Sequence, residues 1–265
     1  MTTQKSQRWA LILGASSGFG AATGIELAKA GFNIFGVHLD TRATAPNAER
    51  VQETIRKFGR EAVFFNTNAA EAERRQKVLD WMAPHLANGD TVGVLLHSLA
   101  FGTLKPFVAN TPEDEITEKQ MDMTLDVMAN SLVYWVQDLM RRNMLRSGSK
   151  IFAMTSAGSS RIWATYGAVS AAKAALESHV RQLSYELGKK GVAVNAIRAG
   201  VTDTPALRKI PGNESLLEGA RGRNPGGRLT VPEDVAKTIV AMSDERTAWI
   251  TGNVIGVDGG EDIVG

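Results

Sequence analysis

Ser156, Tyr166 and Lys173 are the residues of this chain whose types and spacing can do chemistry together. They lie in the stretch IFAMTSAGSSRIWATYGAVSAAKAALESHVRQLSYEL, residues 151–187. A short apolar run ends in Thr155 and Ser156, passes a Gly/Ser loop and becomes an Ala-rich segment of helical period, so strand, loop and helix are expected. Tyr166 and Lys173 are seven positions apart. That is close to two helical turns, which would place both on one face about 10 Å apart along the axis. A phenol titrates near pH ~10 and works poorly as an acid or base at neutral pH unless a neighbour shifts it. An ammonium on the same face would favour the phenolate, and a serine hydroxyl beside it could hydrogen-bond a substrate oxygen.

Such a triad needs a scaffold, and the chain before it supplies the pattern of one. Residues 9–13 (WALIL) form an apolar run without alternation, as in a parallel strand covered on both faces. The run leads into Gly14-Ala15-Ser16-Ser17-Gly18-Phe19-Gly20 and then into a helical segment ended by Gly31. Strand, glycine turn and helix present main-chain amides and a helix N-terminus to a pyrophosphate. A second strand is expected at residues 33–39. In a dinucleotide fold its end meets the adenosine ribose, where an acid suits a free 2′-hydroxyl and a basic side chain a 2′-phosphate. The chain has His38, Asp40 and Arg42 there. Asp40 argues for NAD, Arg42 for NADP, and His38 at the usual place of an acid tilts the expectation to NADPH, with NADH as the alternative.

Further strands are expected at residues 62–65, 91–96, 151–154, 192–197 and 253–257, with helices between them. Asn66 and Asn68 follow the third strand, where an amide would either contact adenine or form a turn. His97 and Ser98 follow the fourth, His97 reading as a structural hydrogen bond or as backing for a cofactor. Residues 113–142 read as one long helical region, interruptible near its middle. Residues 205–228, with three prolines and five glycines, read as an irregular loop covering a substrate. Strands alternating with helices throughout, without a composition break or repeat, predict an α/β fold: one Rossmann-type doubly wound, seven-stranded parallel sheet spanning residues 1–265 as a single domain.

Composition narrows the function classes. The 265 residues are 43% hydrophobic with net charge +2, and no basic stripe suggests nucleic acid. The absence of cysteine excludes disulfides, thiolate metal sites and cysteine nucleophiles, and no metal site is expected. Residues 1–8 are polar and no apolar run approaches ~18 residues, so neither a signal peptide nor a membrane span is expected and the protein is read as cytoplasmic.

The glycine turn, the Ser/Tyr/Lys stretch, VNAI-x-AG-x3-T and VDGG, in this order, resemble the short-chain dehydrogenase/reductase family from end to end. That resemblance implies a bound nicotinamide dinucleotide and a homotetramer. It assigns the cofactor to Gly14, Ser16, Ser17, Gly18, Phe19, Gly20, Asn68, Lys173 and Thr204, with Gly200 and Val201 in the same AG-x3-T motif. Val169 stands where most members carry the catalytic Tyr, four residues before Lys, and Tyr166 is three residues earlier. Met128 replaces a common Asn, and HSLA at residues 97–100 replaces NNAG. The Y-x6-K spacing is similar to the enoyl-acyl-carrier-protein reductases of fatty acid biosynthesis, in particular the NADPH-using branch nearest ordinary members. The reaction implied is hydride transfer to the β-carbon of a 2-enoyl thioester carried on acyl carrier protein or coenzyme A. A carbonyl reductase or hydroxysteroid-type dehydrogenase is the alternative supported by Ser156, and a dinucleotide-binding sensor without turnover is the third.

Overall fold

The computed structural model describes residues 8–86 and 89–264. The polar start at residues 1–7 lies outside the described residues. The chain begins with β1 (Arg8–Leu13), α1 (Gly18–Lys29), β2 (Phe32–His38), α2 (Ala45–Lys57), β3 (Ala62–Asn66) and α3 (Ala72–Met82). It continues with β4 (Thr91–His97), α4 (Glu118–Leu125), α5 (Ser131–Arg141), β5 (Lys150–Ser156) and α6 (Gly167–Gly188). It closes with β6 (Ala193–Ala199), α7 (Asn213–Arg223), α8 (Pro232–Met242) and β7 (Val254–Val257). The strands form one sheet in the order β3-β2-β1-β4-β5-β6-β7, every neighbour parallel. This is the doubly wound sheet that the unbroken apolar runs predict, because a strand buried on both faces has no reason to alternate.

Successive residues of each strand feed two cores. Leu11, Leu13 and Phe35 pack with Leu79, Trp135 and Leu176 of α3, α5 and α6 on one face. Ala10, Ile12 and Ile34 pack with Leu27, Ile55 and Ile239 of α1, α2 and α8 on the other. Strand order reverses between β1 and β4, and the crevice at their carboxyl ends is where an open α/β sheet takes a ligand.

Two segments depart from the sequence expectation. The long helix starts at Glu118, five residues later than expected, because Thr117 and Gln120 form a reciprocal cap with bonds of 3.3 and 3.0 Å. It then widens into a π turn at Asp126–Asn130 before α5. Residues 205–228 are not an irregular loop: they hold α7, entered from Gly212 in the left-handed region. Gly219 and Gly222 inside this helix hide its periodicity, since glycine is a poor helix former, while its inner face is fixed by the fully buried Ala220.

Candidate active site

The carboxyl end of β1 turns through a cradle in which glycine is required by contact. A Cβ on Gly20 would lie 2.0 Å from Gly14 O, and one on Gly14 would lie 2.3 Å from Ser98 O. Strand, helix and the β4 exit therefore approach more closely than any side chain allows. Gly14 N and Ser98 N are held by Val37 O and Leu13 O, both at 2.8 Å. The first helix bond of α1 runs from Ala21 N to Ser17 O, so the amides of Gly18, Phe19 and Gly20 have no acceptor within α1. A pyrophosphate fits this set of donors at a positive helix end. The Thr204 methyl lies 3.6 Å from the Cβ position of Gly18, which brings the AG-x3-T motif onto the same turn.

At the end of β2 the structure pairs His38 with Asp40. His38 Nδ1 lies 2.7 Å from Asp40 Oδ2, and both side chains are mostly buried. Burial alone would raise the Asp40 carboxyl, but hydrogen bonds from Thr44, Ser16 and His38 outweigh it and hold the pKa below the usual carboxylate range. Asn66 fixes the Asp40 backbone in both directions, its side chain accepting from Asp40 N at 2.9 Å and donating to Asp40 O at 3.0 Å. His38 is thus a hydrogen-bond partner of Asp40 through Nδ1. Arg42 is exposed. Asn68 takes the turn-forming alternative: it accepts from Ala70 N and donates to Glu71, each at 3.0 Å.

The reaction end is built from side chains. Tyr166 is the residue just before α6, preceded by Thr165 at φ +62°, a left-handed conformation costly for a β-branched residue. The Tyr166 ring meets Trp163 edge-on at 5.7 Å. Its edge and Ser156 Oγ converge on Gly158, whose Cβ position lies 2.5 Å from the ring and 3.2 Å from Oγ. Ser156 Oγ is buried and makes no bond of ideal hydrogen-bond geometry, although it lies close enough to the phenol to act on its pKa. Burial pushes the Tyr166 phenol above its ordinary pKa, and the Ser156 hydroxyl pulls it only partly back.

Lys173 behaves differently from the sequence expectation. Its Nζ donates to Met154 O at 2.7 Å. Burial brings its pKa down to about 8 against the opposing pull of Glu177, which is itself held by Thr155 Oγ1 at 2.6 Å. The Tyr166 shift is upward, set by burial, opposite to the lowering expected from an ammonium on the same face. Tyr166 is the N-cap of α6, its carbonyl accepting from Ser170 N at 2.8 Å, seven residues before Lys173. His97 is likewise a structural group. It is 0% exposed, its Nε2 lies 2.8 Å from Ser131 Oγ, and Ser131 donates to Val127 O across the π turn. Burial, with the nearby Lys173 charge, depresses its pKa to about 3, so its side chain is a neutral clamp.

Val169 is 5% exposed and packs with Met128, Ala172, Leu104 and Tyr166 in a separate apolar cluster. The other two tyrosines are remote from this cleft: Tyr134 lies over Arg75 and Tyr185 is exposed near the far end of α6. Tyr166 is therefore the only phenol at the reaction end. On the β6 side, Gly200 is pinned, since its Cβ position is 2.3 Å from Thr230 Oγ1. Val201 N donates to Glu261 at 3.0 Å, so that amide is not free for a cofactor. Sequence reasoning did not single out Trp163, Thr165 or Glu261, because a single aromatic, threonine or glutamate in a loop carries no periodicity.

A family model described as "Enoyl-(Acyl carrier protein) reductase" matches residues 14–261. The chain belongs to the short-chain dehydrogenase/reductase family. Among curated members it is 28% identical over 263 residues to versicolorin reductase 1 of Dothistroma septosporum, covering 95% of this chain and 94% of that one. It is 30% identical over 259 residues to the enoyl-[acyl-carrier-protein] reductase [NADH] FabI of Aquifex aeolicus, covering 97% and 92%. Among solved members, an enoyl-[acyl-carrier-protein] reductase (NADH) from Aquifex aeolicus superposes with TM-score 0.83 at 24% identity over 98% of each chain, a likeness of fold. Membership makes the chain an oxidoreductase; among its described residues no helix is long and apolar enough to cross a membrane.

Proposed function

We propose that the protein is an enoyl thioester reductase that uses NADH. The observation that carries this reading is the placement of the phenol: the position four before Lys173 is filled by Val169 inside an apolar cluster, and the hydroxyl stands at the cap of α6 instead. When a ketone is reduced, the oxygen needing a proton is bonded to the carbon that accepts hydride. When an enoyl thioester is reduced, the β-carbon accepts hydride and the charge appears on an oxygen three bonds away, so the donor belongs further out.

A nicotinamide dinucleotide supplies the hydride when bound, and the cradle of Gly14, Gly18 and Gly20 with the amides opening α1 is the part of this chain that fits it. The double-bond electron pair then moves toward the thioester carbonyl, whose oxygen becomes an enolate. Tyr166, kept protonated at neutral pH by burial, donates to that oxygen where the charge develops. Ser156 offers a second donor to the same oxygen. Lys173 remains largely cationic at neutral pH and buttresses the end of β5 through Met154 O, from which it can reach the ribose. Asp40 favours NADH, because a fixed carboxylate accepts a bond from a free 2′-hydroxyl and repels a 2′-phosphate.

The serine retained at the end of β5, Ser156 beside Tyr166, favours carbonyl reduction as the second reading. Cofactor oxidation followed with crotonyl thioesters on coenzyme A and acyl carrier protein, against a panel of ketones and hydroxysteroids, separates the two. The expected result is a larger kcat/KM for the thioesters, and turnover of ketones alone removes the enoyl reading.

A further inference from the structure

Three arginines from three segments that frame the cleft converge on two acids in the turn after β7. Asp262 bridges two of them, with Oδ1 2.9 Å from Arg161 Nη2 and Oδ2 3.0 Å from Arg198 Nη1. Its main-chain oxygen also accepts from Arg161 at 2.8 Å. Glu261, 6% exposed, accepts from Val201 N at 3.0 Å through one oxygen and faces Arg223 at 3.8 Å through the other. Arg161 belongs to the loop between Ser156 and Tyr166, Arg198 and Val201 to the exit of β6, and Arg223 to the end of α7.

The loop has few other polar anchors. Among the described residues, every hydrogen bond made by residues 158–165 stays within the loop or reaches its immediate neighbours Ala157 and Tyr166, except those of Arg161. Thr165 in the left-handed region and the unpartnered Thr165 Oγ1 show that this loop does not settle itself through local bonding. Ion pairs between exposed side chains contribute little, but a carboxylate shared by two guanidinium groups and a buried carboxylate on a main-chain amide are geometrically demanding.

We propose that Asp262 and Glu261 are positioning residues: they latch the Tyr166 loop, the β6 exit and the end of α7 together, and so fix the phenol relative to the hydride path. Neither acid contacts Tyr166, so both act through the segments they hold. The inference rests on the reductase reading but not on the thioester as substrate.

The test compares Asp262→Asn and Arg161→Lys with the wild type on whichever substrate the wild type reduces, so that a ketone-only enzyme overturns the enoyl reading and leaves the latch measurable. Misplacing the donor predicts a kcat loss of about tenfold for Asp262→Asn with dinucleotide Kd within about twofold of wild type. Trypsin should cut faster after Arg161 in that variant, as read by mass spectrometry. Arg161→Lys, which keeps one cation opposite Asp262, should recover most of kcat. In Ala substitutions, the double variant at 161 and 262 should be no slower than the worse single one, because both remove the same tie. Unchanged kcat and unchanged cleavage in Asp262→Asn would overturn the latch. A parallel fall of kcat, dinucleotide affinity and Tm would also overturn it, by showing that the turn supports only the fold.

Discussion

At the dinucleotide end of the cleft a Cβ on Gly20 would strike a main-chain oxygen at 2.0 Å, whereas at the reaction end a Cβ on Gly158 would meet the edge of the Tyr166 ring at 2.5 Å. Backbone cannot yield at the first site, and a side chain can turn aside at the second. The polar groups follow the same division. Around β1 and β2 the Asp40 carboxylate, the Asn66 amide and the turn amides of Gly14 and Ser98 are paired, while Thr165 Oγ1 is buried without a partner and Ser156 Oγ makes no bond of ideal geometry. One end is a preformed mould for a fixed ligand, and the other is a set of adjustable donors whose aim depends on what holds their loop.

The sharpest break of this contrast removes a donor without touching the mould. Tyr166→Phe should lower kcat by about 100-fold or more while dinucleotide binding, followed by fluorescence titration, stays at the wild-type value. A comparable loss of binding would show that the two ends are not separable.

Glycine substitutions test the difference in stiffness. Gly20→Ala should cost about 3 kcal/mol of stability, since the added methyl can only be accommodated by moving backbone, and dinucleotide affinity should fall with it. Gly158→Ala should displace the Tyr166 ring, reducing turnover while leaving affinity intact. Denaturation and titration of both variants check the pair.

His97 lies between the ends and clamps the π turn, and its titration gives a smaller effect. Its pKa is about 3 in the folded protein against 6.5 ordinarily, so below pH 6.5 the unfolded chain takes up a proton that the native chain does not. Stability is therefore lost as the pH falls from 6.5 toward 3, and by about pH 5 the loss from this group is about 2 kcal/mol. Urea denaturation at about pH 7 and about pH 5 should show this loss in the wild type and its removal in His97→Gln.

The smallest expected effect concerns cofactor choice. Asp40→Ala should shift the NADH to NADPH ratio of kcat/KM by about tenfold toward NADPH, equivalent to about 1.4 kcal/mol. A wild type that already prefers NADPH would show that Arg42 turns inward and that Asp40 does not govern the ribose site.

The primary sequence alone determined the sheet, the glycine cradle and the displaced position of the phenol before Lys173. Strands buried on both faces must be continuous apolar runs, and a turn admitting no Cβ must be glycine, so both are written locally. Even the displaced phenol is local, as a valine four residues and a tyrosine seven residues before the same lysine. Tertiary structure decided what depends on partners distant in the chain. Within residues 205–228, Asn213–Arg223 became helical although glycines concealed it, with Ala220 buried on its inner face. Lys173 donates to Met154 O, 19 residues away, and burial raises the pKa of the phenol. His97 became a clamp on Ser131, 34 residues away. Asp262 met Arg161 across 101 residues. Burial and ion pairing are set by which segments pack side by side, and spacing along the chain carries that information only within one element.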